Sequence, residues 1–126
     1  MQGKYLSLTS FRRDGTGVAT PVWFVPENGR LLIETDADSY KVRRMRRNPE
    51  ITIAPCTARG RLLASPVPAH AAFLPDAERE RIERLMASKY RFDVRILKPI
   101  RWAQTAFHIG RGRGKPIVLA ITPAAE

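Results

Sequence analysis

Cysteine is all but absent from this chain: Cys56 stands alone among 126 residues. One thiol makes no internal disulfide, so nothing staples the fold covalently. Histidine is nearly as scarce, and His70 and His108 form no metal-ligand spacing with any neighbour. A Cys–His nucleophile pair finds little support, because Cys56 ends an apolar run, Ile51-Thr52-Ile53-Ala54-Pro55-Cys56, that reads as a buried strand. No stretch approaches the roughly 18 consecutive apolar residues of a membrane helix. Met1 to Ser10 lacks the pattern of a secretory leader, so the expected location is the cytoplasm, with no membrane partner. Paired carboxylates, a Ser-His-Asp order and a nucleophile elbow are all missing, and hydrolytic chemistry is not expected. Acidic residues are in short supply too. Twelve face 22 lysines and arginines, a formal net charge of +10. Such a balance calls for an anionic partner: nucleic acid, an acidic membrane surface or a small anionic ligand.

What is present reads as one mainly β domain spanning residues 1–126, too short for two independent cores. Residues 5–11 alternate apolar and polar, then Arg12-Arg13-Asp14-Gly15 turns the chain. Residues 18–25 form a second strand, and Pro21 within it predicts an edge or a bulge, since proline donates nothing to a ladder. Asn28-Gly29 is a hairpin signal, leading into a third strand over residues 30–35. Asp36-Ala37-Asp38-Ser39 offers several N-caps for a two-turn helix over residues 40–47, which Asn48-Pro49 ends. Residues 51–56 make a fourth strand, 61–65 a weaker fifth after a turn, and 69–74 a sixth beyond the interruption of Pro66 and Pro68. The spacing of Ile82, Leu85, Met86 and Tyr90 predicts a helix over residues 76–89 capped by Asp76. Residues 91–109 are ambiguous, Gly110 to Gly114 reads as a hairpin loop, and residues 116–122 as a closing strand. Many short strands with segregated helices favour a small barrel over a doubly wound sheet.

The segment from Thr35 to Asn48 carries the most chemistry. Lys41, Arg43, Arg44, Arg46 and Arg47 crowd seven positions, and they open a helix at a strand end, where free N–H groups and the helix dipole already favour an anion. Thr35 and Ser39 add hydroxyl donors. The bland alternative is a solvated basic helix. Helical spacing puts Lys41 and Arg44 on one face, with Arg47 and the apolar pair Val42–Met45 turned differently, so only part of the cluster would meet one phosphate. Trp23, beside Pro21, is either the wall of a flat aromatic ligand or ordinary core. Gly110-Arg111-Gly112-Arg113-Gly114 precedes a strand and not a helix, so it lacks the setting of a phosphate loop. His70 and His108 read as surface or structural. A nucleic-acid module would interleave aromatics with the Arg43–Arg47 run, and none is there, so that partner is not favoured.

Taken in order, Thr20-Pro21-Val22-Trp23-Phe24, Thr35-Asp36-Ala37-Asp38-Ser39-Tyr40-Lys41, Arg46-Arg47-Asn48-Pro49 and Ile51-Thr52-Ile53-Ala54-Pro55-Cys56 resemble the pyridoxamine-phosphate-oxidase-like superfamily. The branch they resemble is that of the F420-dependent oxidoreductases, over about residues 4–74 and more weakly through 76–89. The resemblance implies a six-stranded split β-barrel with peripheral helices, a homodimer, and two cofactor sites along the subunit interface. It implies that Thr20, Pro21, Val22 and Trp23 run beside the flavin-like ring. Thr35, Ser39 and Lys41, with Val42 beside them and Arg44 assisting, would hold the phosphate. The cofactor implied is coenzyme F420, with FMN as the alternative and haem in the same fold as a further one. The activity implied is hydride transfer to an unsaturated small-molecule acceptor, with no side chain singled out as catalytic because the cofactor carries the chemistry. The pyridoxamine-phosphate oxidases proper carry an arginine near the position of Thr20. This chain does not, which argues against that activity.

Overall fold

A computed structural model describes residues 4–97 and 115–124. Seven strands form one antiparallel sheet: β1 (Tyr5–Phe11), β2 (Gly17–Val22), β3 (Val25–Glu27), β4 (Arg30–Asp36), β5 (Glu50–Cys56), β6 (Val67–Phe73) and β7 (Pro116–Pro123). Helix α1 (Tyr40–Arg47) joins β4 to β5, and helix α2 (Arg79–Leu97) follows β6. The spatial order is β2-β1-β5-β6-β7-β4-β3. Only residues 23 and 24 separate β2, at one edge, from β3, at the other. Such a link spans roughly 10–11 Å, whereas seven flat strands about 4.8 Å apart would hold their edges roughly 29 Å apart. The sheet therefore curls, and its two edges meet at the crossover: a half-barrel, as the split-barrel expectation requires.

Period-two alternation decides which side chains fill it. Leu6 and Leu8, Leu31 and Ile33, Ile51 and Ile53, Ala69 and Ala71, Leu119 and Ile121 come from five strands and form one buried cluster with Phe24 and Met45. The opposite face of β4 and β7 presents Leu32, Val118 and Ala120 to Ile82 of α2. Thus α1 contributes Met45 to the inside while α2 covers the outside. Truncating any of these large side chains to alanine would cost about 2–5 kcal/mol.

Several sequence expectations need correction. The second strand does not run unbroken over residues 18–25. It ends at Val22 because the chain must leave one edge to reach the other, and β3 starts afresh at Val25. The resemblance implied a six-stranded barrel; the sheet has seven strands because residues 18–25 supply two of them, and it remains a split half-barrel. The edge position inferred from Pro21 holds, since β2 has a single neighbour, β1, with Pro21 opposite Ser7. Residues 61–65 form no strand. Gly60, at φ 91°, closes a turn in which Arg61 N–H bonds Thr57 Oγ1, and only an isolated bridge, Cys56 to Leu62, follows. Pro68, expected outside the sixth strand, lies inside β6 opposite Thr52, near the strand's start where a missing donor is tolerated. Asp76 does not cap α2. It opens a short 3-10 turn, Asp76–Glu78, behind Pro75, and its carboxylate takes Arg79 Nε. The helix then runs to Leu97, past the expected end. The readings of residues 98–114, including the Gly110–Gly114 loop and His108, lie outside the described residues.

Candidate functional site

The turn between β4 and α1 is built by local hydrogen bonds. Asp36 Oδ1 accepts the Asp38 N–H (3.0 Å), and the Asp36 carbonyl accepts the Ser39 N–H (3.0 Å). Ser39 is the N-cap: its backbone is extended and its Oγ accepts from Val42 N at 3.4 Å. That cap uses an acceptor lone pair, leaving the hydroxyl proton as a donor. Asn48 closes the helix by donating its N–H to the Arg44 carbonyl (2.8 Å). The short apolar face, Val42 and Met45, is fully buried beneath the helix, so Val42 meets a ligand through its backbone or not at all.

Above that face the helix is basic. Lys41 is half-buried, and among the described residues it forms no hydrogen bond or ion pair. Burial lowers its pKa from the ordinary lysine value, Arg44 lowers it further, and Asp36 opposes both. Arg44 donates from Nε to Ser10 Oγ at 2.7 Å, and Ser10 is wholly buried. Its pKa is also lowered, by burial and then by the charges of Arg12 and Arg47. Arg47 was expected to turn away from this side, yet its Nη2 reaches the Phe11 carbonyl at 2.7 Å, the residue after Arg44's partner. Residues three apart on a helix are neighbours, so both arginines grasp the end of β1. Arg46 lies over the Phe73 ring (4.4 Å) and Arg43 over that of Tyr40 (5.6 Å).

Charge is divided unevenly over the surface. Arg30, Arg79, Arg81 and Arg84 pair with Glu27, Asp76, Glu78, Glu80 or Glu83. These pairs lie on α2, on the turn before it and on the β3–β4 hairpin. None of the five basic residues of α1 forms a salt bridge among the described residues, although the Asp36 carboxylate acts on Lys41 from the turn. A group of unneutralised cations held in place by buried and backbone acceptors is suited to an external anion.

Thr20, Pro21 and Val22 lie on the edge strand β2, so one side of their backbone is not used by the sheet. Trp23 lies in the crossover, and one face of its indole stacks on Tyr90 at 4.2 Å between centroids and 8° between planes. Tyr90 and Lys89 fasten the same crossover. The Tyr90 hydroxyl accepts the Phe24 N–H (3.0 Å) and lies 2.6 Å from the Lys4 carbonyl, while Lys89 Nζ donates to the Phe24 carbonyl at 2.8 Å. The expected residues therefore fall into two groups: Ser39, Lys41 and Arg44 around one helix start with Thr35 on the strand leading to it, and Thr20 to Trp23 on the edge strand and crossover. The link between them runs through β1, where Ser10, bonded to Arg44, sits opposite Val18 of β2. His70 is exposed and its Nδ1 meets Glu50 Oε2 at 2.9 Å across β5 and β6. Among the described residues no cluster suits a metal ion, and no helix is long and apolar enough to cross a membrane. Sequence reasoning missed Ser10 and the joint hold of Tyr90 and Lys89 on Phe24, because nothing local marks a serine or a helix face as the partner of a residue dozens of positions away.

The architecture is a split half-barrel with a basic turn after its fourth strand. The family profile of pyridoxamine 5′-phosphate oxidase matches residues 2–125, and the chain belongs to that family. No curated protein matches it. Solved structures of the same fold include a Listeria innocua protein assigned as a pyridoxamine 5′-phosphate oxidase, 17% identical, with TM-score 0.61 over 98% of this chain and 86% of that one. An F420 reductase is 16% identical, with TM-score 0.63 over 98% and 89%. A haem storage protein from Vibrio cholerae is 12% identical, with TM-score 0.63 over 99% and 84%. Likeness at such identities speaks for the fold.

Proposed function

We propose that this chain is an oxidoreductase using reduced coenzyme F420 to deliver hydride to an unsaturated small molecule, and that it works as a homodimer. The observation that carries the reading is the unneutralised cation group on α1 and its neighbour Arg12. FMN ends in a single phosphate, which Lys41, Ser39 and the helix N-terminus could accommodate by themselves. The deazaflavin continues through a phosphodiester and lactate to several glutamates, giving Arg12, Arg44 and Arg47 carboxylates to meet. Residues of the turn fit such a group: Lys41 is desolvated without a hydrogen-bonded partner among the described residues, and the Ser39 and Thr35 hydroxyls flank the same strand end. In this reading Lys41 anchors the phosphate, Thr35 and Ser39 donate to it, and Arg44 adds charge. The β2 edge from Thr20 to Val22 supplies backbone contacts to the ring, with Trp23 held beside it by Tyr90. When bound, the cofactor supplies the hydride; the protein holds the ring, screens the phosphate charge and shapes the acceptor cavity.

The separation of the two residue groups supports a site completed across a dimer, with one copy giving the phosphate turn and the other a wall. Leu62 and Leu63, between β5 and β6, and Val67, at the start of β6, are exposed and offer apolar surface for a second copy. The test is a titration of F420 and FMN at low and high ionic strength. Exposed ion pairs contribute about 0–1 kcal/mol each. F420 should therefore bind moderately better at low salt, with the margin shrinking as salt rises. Equal affinities at low salt, or a preference for FMN, would overturn the cofactor assignment and leave the fold untouched.

A further inference from the structure

Asp36 is the one charged side chain that is buried among the described residues, at 9% exposure. The turn uses only part of it. Oδ1 takes the Asp38 N–H and the main-chain carbonyl takes the Ser39 N–H, but Oδ2 accepts no hydrogen bond among the described residues. An asparagine would serve the turn equally well through its amide oxygen, without burying a charge. The hydrogen bonds of the turn therefore do not require the negative charge itself. It sits at the end of β4, opposite Pro116, in the same turn as the Ser39 cap and close enough to Lys41 to act on that ammonium. The groups around it are few. Lys41 and, one helical turn on, Arg44 lie on the α1 side; Asp38 is within the turn; Lys115 lends the carbonyl that accepts the Ala37 N–H; Arg12 and Arg47 act through Arg44.

At the turn Asp36 sets a buried negative charge beside the ammonium of Lys41, with Asp38 next to it and Arg44, Arg12 and Arg47 on the α1 side. A dianion seated on Lys41 meets that buried charge with twice the repulsion that a diester monoanion meets. Phosphomonoesters lose their second proton near pH 6 and are dianions at neutral pH, whereas diesters remain monoanions. We infer that Asp36 is a specificity-determining residue which makes the α1 turn select a phosphodiester monoanion over a phosphomonoester dianion. This rests on the reading of that turn as the cofactor phosphate site. It adds that the preference is set by a repelling charge, the means by which closely similar ligands are told apart.

Two probes share one ring and differ by a single methyl group that removes this charge: FMN and its methyl ester, riboflavin 5′-(methyl phosphate). Both are titrated against the full chain between pH 5.5 and 8, for the parent, Asp36→Asn and Lys41→Ala. The parent should favour the methyl ester by about three- to tenfold at pH 8, since a like charge nearby shifts such an equilibrium by up to about one pK unit. That preference should fade towards pH 5.5 as FMN takes up its second proton. Asp36→Asn, which keeps the acceptor for the Asp38 N–H, should bind FMN more tightly at pH 8 and lose the preference. A parent without the preference, or an Asn variant that retains it, would overturn the inference. The pH dependence of the parent alone tests it even if the variant does not fold. Affinities indifferent to Lys41→Ala would instead show that the phosphate lies elsewhere, and the inference would fall with the site.

Discussion

Replacing Tyr90 by phenylalanine removes one oxygen from the point where α2 holds the crossover. The ring would remain stacked on Trp23, so little apolar burial changes. The hydroxyl has one proton and two nearby carbonyls, Lys4 at 2.6 Å and Phe24 at 3.1 Å. Because Lys89 Nζ already serves the Phe24 carbonyl at 2.8 Å, the proton goes to Lys4, and the Phe24 carbonyl keeps a partner in the variant. Lys4 is exposed, so water can take over there. The Phe24 N–H cannot be rescued in this way. It donates to the Tyr90 oxygen at 3.0 Å, and Phe24 is 0% exposed. An orphaned buried donor costs about 1–3 kcal/mol, which sets the expected loss for Tyr90→Phe. With a urea m-value of about 1–3 kcal/mol/M for a domain of this size, the midpoint should fall by roughly 1 M at unchanged slope. Parent and variant must be compared at one protein concentration, since dimerisation would add to apparent stability. A loss below about 0.5 kcal/mol, the range of ordinary surface substitutions, would refute the claim that this hydroxyl organises the crossover.

Lys41→Met should weaken binding of a phosphorylated cofactor by roughly ten- to a hundredfold, the worth of one charge-assisted hydrogen bond. The same change should stabilise the ligand-free protein at neutral pH. Burial and then Arg44 lower the Lys41 pKa, so the unfolded chain holds that proton more tightly than the fold does. Its ammonium therefore costs stability at neutral pH, and the cost disappears as pH rises through the lowered folded value towards 10.5. Urea melts of parent and variant at pH 7 and 10.5 check this: the gap should narrow at the higher pH, and a variant no more stable than the parent at pH 7 would contradict it. Sedimentation at micromolar concentration should find a dimer that Leu63→Arg weakens; a folded monomer of the parent would refute both the dimer and a cofactor site shared between subunits.

Local signals were legible where a few adjacent residues decide the geometry. Asn28-Gly29 adopts the positive φ angles, 51° and 81°, that a tight hairpin requires. Ser39 caps α1 and Asn48 ends it within the predicted bounds. Pro21 marked an edge before any partner strand was known. Signals failed where distant contacts decide. Residues 18–25 look like one strand because nothing in Val22-Trp23-Phe24 records that the sheet's far edge must be reached there. Leu62 and Leu63 carry strand-like apolarity, but they are adjacent and do not alternate, and no neighbouring strand takes them up beyond one bridge to Cys56. The last strand in sequence, β7, lies between β6 and β4. No window-based pattern specifies such an insertion.

At the candidate site the same division separates residue type from residue state. Spacing marked the basic residues of α1 as a cluster, but could not tell a solvated helix from a held one. The structure distinguishes them by what each cation touches. Arg44 and Arg47 are fixed to Ser10 and to the Phe11 carbonyl, partners that direct a guanidinium without neutralising it. On α2, by contrast, Arg79, Arg81 and Arg84 each meet a carboxylate. Two helices of the same small domain thus use arginine in opposite ways, one as the charged half of surface pairs and the other as charge kept unspent. Burying these cations, and then holding them beside one another, lowers the stability of the folded chain, as the downward shifts of Lys41 and Arg44 both indicate. Sites that depart from the stabilising rule obeyed elsewhere in a protein are where a ligand is expected, and here the ligand that would relieve the strain is an anion.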